Sequence, residues 1–112
     1  YELALTLYRE GGDRASEATT RHNIGVAHAR QGQYLEALAS YEEALKITQT
    51  TGDRPTQASI LRNIGSAYAK QGDYRRALDS YKKAREIRNA VSDSSGAAAI
   101  DQEIKVLEEQ IR

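Results

Sequence analysis

The chain reads as an all-α protein, a solenoid of about six helices stacked as antiparallel pairs. Three observations carry that reading. Segment 1–40 recurs as 41–80, with 19 of 40 aligned positions identical. Apolar and small residues recur at helical spacing inside each half of the repeat. Glycine and Asp punctuate the halves, and the single Pro falls at a helix start, where it is tolerated. A repeat of this length is one supersecondary unit. It cannot bury its apolar stripe alone, so neighbours stack into a continuous core.

The elements follow in order. In residues 1–11, Tyr1, Ala4 and Leu5 align with Tyr41, Ala44, Leu45 and with Tyr81, Ala84. This segment is therefore the second helix of a truncated repeat. Because the first residue is not Met and falls inside that repeat, the chain is expected to be a fragment of a longer protein. Gly11-Gly12-Asp13 closes the segment, glycine suiting the left-handed C-cap and Asp the next N-cap.

Residues 14–51 form a full repeat, with helices over 14–31 and 33–50 and Gly32 between them. Gly52-Asp53-Arg54-Pro55 repeats the punctuation. Residues 54–91 form the next repeat, with helices over 54–71 and 73–91 and Asp73 as N-cap. Ser92-Asp93-Ser94 does the same job without glycine. In residues 94–112, Ile100, Ile104, Leu107 and Ile111 make one apolar stripe, the mark of a sixth helix, either a cap or a degenerate third repeat. Helices of this size are about 25 Å long.

At 100° per residue, Tyr34, Ala37, Leu38, Tyr41, Ala44 and Leu45 share one side of their helix, and Leu35, Glu36, Ala39, Glu42, Glu43 and Lys46 share the other. Gly25, Gly65, Ala37, Ala77, Ala44 and Ala84 let helix axes approach. Tyr34, Tyr41, Tyr68, Tyr74 and Tyr81 fill the gaps between helices.

Composition excludes several function classes. Sixteen basic and sixteen acidic side chains leave no surplus for nucleic acid or an anionic membrane. With no Cys there is neither a disulfide framework nor a thiolate metal site. No apolar run reaches the roughly 20 residues of a membrane span, and no signal peptide is visible, so a cytoplasmic location is expected. His22 and His28 fall on different faces of one helix, so no metal is expected, and His28 is expected in the slot that Tyr68 fills one repeat on. Arg75, Arg76, Lys82, Lys83, Arg85 and Arg88 read as a solvated basic face. Neither a phosphate-cradling glycine loop nor a Ser/His/Asp arrangement is present. The chain is read as a non-enzyme without cofactors.

The residues now carry a resemblance. Ile24-Gly25 and Ile64-Gly65, then Tyr68 (His28 in the earlier copy), then Gly32 and Gly72 followed by Tyr34 and Tyr74, then Ala37, Tyr41, Ala44 and Ala77, Tyr81, Ala84, resemble the tetratricopeptide repeat. The likeness covers essentially the whole chain. Two features depart from it. The period is forty rather than the usual length of about 34, and Arg21 and Leu61 stand where the family has Trp. The long period is similar to that of kinesin light chains, of the LGN/Pins spindle-orientation adaptors and of many bacterial members.

The resemblance implies a right-handed solenoid with a concave groove lined by the first helix of each repeat. That groove would carry His22, Asn23, Val26 and Arg30, with Arg62, Asn63, Ser66 and Lys70 one repeat on. Thr19, Ala29, Ser59 and Ala69 share that face, as do Ala99, Gln102, Glu103, Val106, Glu109 and Gln110 on the last helix. An Asn before the Leu-Gly pair is implied to contact peptide backbone, since an amide both donates and accepts; the alternative is that it bonds a neighbouring helix. Arg30, Arg62 and Lys70 would favour carboxylates. The expected partner is an extended acidic peptide. The alternatives are a structural spacer that self-associates through open ends exposing Leu3 and Leu7, giving a homo-oligomer, and a peptide-sensing regulatory domain.

Overall fold

A computed structural model describes residues 13–111. It holds five helices: α1 (Asp13–Arg30), α2 (Tyr34–Thr51), α3 (Arg54–Lys70), α4 (Tyr74–Ala90) and α5 (Ser94–Ile111). No strand occurs among the described residues. The helix expected before Gly11, with Leu3 and Leu7, lies outside them. The helices pack in chain order, α1 on α2, α3 on α4 and α4 on α5, with α2 against α3 joining the hairpins. The body measures 53 × 33 × 16 Å, a slab of all-α solenoid.

The punctuation works as local chemistry predicts. Gly32, Gly52 and Gly72 take φ of +77°, +75° and +83°, the left-handed region that glycine enters without steric penalty. Ser92 occupies the position equivalent to Gly52 and is forced to φ +61°. The Asp53 and Asp73 carboxylates each accept from the backbone N–H three residues on, at 3.3 Å, and Asp93 accepts from Gly96 at 2.9 Å. Gln33, which stands where the second repeat has Asp73, makes no such cap; its side chain meets His28 Nδ1 at 2.7 Å instead.

Each hairpin is closed by a tyrosine wedged on a glycine. A Cβ at Gly25 would lie 2.5 Å from the Tyr41 ring, and one at Gly65 would lie 2.9 Å from Tyr81. Only a hydrogen fits, so the axes come close and the rings are buried. Ala37, Ala44, Ala77 and Ala84 complete the narrow seam. Leu35 points to solvent, as its helix face requires.

Ile24 differs from its equivalents. It is 46% exposed, whereas Ile64 is 6% and Ile104 3% exposed. Ile24 has the following helix α2 beside it and is still exposed; Ile104 has no described helix after it and is buried. Cover for this position therefore comes from the preceding hairpin, and α1 is the first described helix.

The α4–α5 interface also differs from α2–α3. Leu45 and Leu61, which line one cleft between the hairpins, are replaced forty residues on by Arg85 and Asp101, which form an ion pair at 2.8 Å.

Candidate functional site

The first helices, α1, α3 and α5, share one face, and two clefts open along it. The first, about 260 Å³, is lined by Val26, Ala29 and Arg30 of α1, Tyr34 and Tyr41 of α2, and Asn63, Ser66, Ala67 and Lys70 of α3. The second, about 310 Å³, is lined by Ser66, Ala69 and Lys70 of α3, Tyr81 of α4, and Gln102, Glu103, Val106 and Leu107 of α5. They are one site repeated. Adding forty to Val26, Ala29, Arg30, Tyr41, Asn63, Ser66 and Ala67 gives seven residues of the second cleft. Ser66 and Lys70 belong to both and form the divide.

Beside each cleft the two flanking first helices are bridged. Asn63 Nδ2 donates to His22 Nε2 at 2.6 Å. The His22 ring also lies against Tyr41, centroids 5.7 Å apart. Because the amide nitrogen can only donate, His22 Nε2 is the acceptor; burial holds His22 below the ordinary histidine range and pushes the Tyr41 phenol up. In the second copy, Arg62 Nε donates to Glu103 at 2.5 Å. Tyr81 is pushed up to about 12, by burial first and then by the charge and hydrogen bond of Glu103; Ser66 hydrogen-bonds the same phenol and acts the other way.

The eight groove residues named from sequence thus divide. Val26, Arg30, Asn63, Ser66 and Lys70 line the first cleft. His22 bridges to Asn63, and Arg62 is engaged by Glu103. Asn23 is exposed but lines neither cleft, so the two amides are not brought together in one compartment. Ser59 is drawn to Arg88 of α4, at 2.7 Å. His22 and His28 serve different neighbours, Asn63 and Gln33.

Arg30 and Lys70 are exposed, and neither forms an ion pair among the described residues. The sequence reading left out the tyrosine walls Tyr34, Tyr41 and Tyr81, having assigned them wholly to the core. Its alternative, an Asn bonded to a neighbouring helix, is the arrangement Asn63 adopts with His22, whereas the Arg62–Glu103 bridge is not among its expectations. The signal for both bridges was present as complementary residue types at positions n and n+41.

A family model for the tetratricopeptide repeat matches residues 1–50 and 16–90. No curated protein matches the chain. Among solved structures, it is similar to the crystal structure of BtubC (BKLC) from P. vanneervenii, at 22% identity and a TM-score of 0.59. That likeness, one of fold, covers 99% of this chain and 55% of the other, so the chain spans about half the length of that relative. No described helix is long and apolar enough to cross a membrane. The family match runs through both described hairpins, and the protein belongs to the tetratricopeptide-repeat family, whose arrays generally mediate protein–protein interactions and are typically not enzymes.

Proposed function

We propose that the face formed by α1, α3 and α5 is a groove that binds an extended, acidic segment of a protein partner. The observation that carries this reading is the pair Arg30 and Lys70, exposed cations without a carboxylate partner among the described residues, on a cleft that also offers Asn63 and Ser66. A carboxylate entering there would meet charge-assisted donors. The Asn63 amide oxygen is left to accept from a peptide N–H while its nitrogen serves His22. Arg62 contributes less than its charge suggests, because Glu103 already neutralises it.

The test is fluorescence anisotropy with a labelled peptide of alternating Asp and Ser. The wild-type chain binds it, and Arg30→Glu/Lys70→Glu weakens binding more than the tenfold that about 1.4 kcal/mol represents, with helicity unchanged. Equal affinity for both chains rejects the reading.

A further inference from the structure

We infer that the groove reads two side chains of its partner separately, a carboxylate in the first cleft and an apolar side chain in the second, three residues apart. This rests on the proposed function and adds selectivity to it. The clefts are related by the repeat, so the positions where they differ decide what each accepts. Val26 of the first cleft becomes Ser66 in the second, but Ser66 and Ala67 become Val106 and Leu107, a net gain of apolar wall. Val106 is 59% exposed, an apolar side chain left facing solvent inside a cleft that also has Ala69 and the Tyr81 ring. Covering it would be favourable.

Electrostatics point the same way. Asn63 of the first cleft becomes Glu103 in the second. The Glu103 carboxylate, already engaged by Arg62 and Tyr81, is acceptor-only and offers no donor to a second acid there. Both cations line the first cleft, and only Lys70 reaches the second. The occupant that fits both is one extended segment carrying an acid and an apolar residue. Helices packed side by side lie about 8–10 Å apart, which sets the scale of the step from one cleft to the next. One turn of polyproline II, three residues at about 3.1 Å each, spans about 9 Å and returns side chains to the same face.

Four labelled twelve-residue peptides in a Gly/Ser/Gln background test this, with positions i and i+3 as Asp and Leu, Leu and Asp, two Asp, or two Leu. One mixed peptide is expected to bind the wild-type chain at least about tenfold more tightly than either uniform peptide, a difference of about 1.4 kcal/mol. Val106→Lys is expected to reverse this and favour the two-Asp peptide; the site is exposed, and circular dichroism checks that the helices persist. If two Asp bind the wild-type chain as well as the tighter mixed peptide, the two-cleft reading fails while the acidic groove stands. If two Leu bind as well, selectivity fails and so does the acidic groove. Preference for a mixed peptide that Val106→Lys leaves intact overturns the assignment of the second cleft. If none of the four binds, both proposals fail.

Discussion

His22 and Asn63 stand 41 residues apart and meet at 2.6 Å; Arg62 and Glu103 stand 41 residues apart and meet at 2.5 Å. The same slot between consecutive first helices is filled once by a neutral pair and once by an ion pair. The slot belongs to the backbone of the solenoid, and its chemistry is chosen repeat by repeat.

The ion pair is half-exposed, so its net worth is small. Arg62→Glu sets two carboxylates face to face and is expected to lower stability by up to about 1 kcal/mol. Adding Glu103→Arg restores the opposite signs and most of the loss. Urea denaturation of the single and double variants measures the coupling, and a double variant no more stable than Arg62→Glu would contradict the pairing.

The neutral pair makes stability depend on acid. Burial lowers the His22 pKa below the ordinary histidine value, so the unfolded chain takes up its proton first as pH falls. Within that window the unfolded state binds more protons, and stability drops as pH drops. The melting temperature should decline from about pH 7.5 to about pH 5.5, and His22→Gln should flatten the decline. Parallel declines would assign the effect to other groups.

Gly65→Ala should destabilise although alanine is the better helix former by about 1 kcal/mol. The new methyl would lie 2.9 Å from the Tyr81 ring and 3.1 Å from the Ala77 carbonyl oxygen, and the carbonyl belongs to backbone that cannot swing aside. Overpacking of this kind costs about 1–3 kcal/mol. A thermal melt decides it, since an unchanged or raised midpoint would mean that the seam opens freely.

Ser92→Gly should do the reverse. A non-glycine residue in the left-handed region carries a penalty of about 1–2 kcal/mol, set against a backbone-entropy cost for glycine of about 0.5–1 kcal/mol. The expected net gain of about 0.5–1 kcal/mol is a rise of a few degrees in melting temperature. No rise would show that Ser92 is not strained at φ +61°.

The sequence made the described helices legible to within a residue or two, because the forty-residue recurrence fixed equivalent positions and Gly32, Gly52 and Gly72 marked the turns. The wedge was legible for the same reason, since Gly25/Tyr41 and Gly65/Tyr81 keep one spacing. The exposure of Ile24 was not, because burial at that position depends on the hairpin before it rather than on its own helix. The face proposed as the groove was legible as a helix face and no further. Periodicity places Arg30, Arg62 and Lys70 on the same side, but it cannot tell that Glu103, 41 residues on, neutralises only Arg62. Nor does one repeat's pattern reveal a cleft whose walls come from three helices.

Two hairpins that share 16 of 38 aligned residues invite mistakes during collapse, when α5 could settle on α2 instead of α4. Arg85 and Asp101 discriminate between the two landings. On α2, Asp101 would face Leu45, with no cation to meet it and part of its hydration lost. A contact that adds little to the finished fold would thus act as an address label, favouring one neighbour over a related one within the same chain.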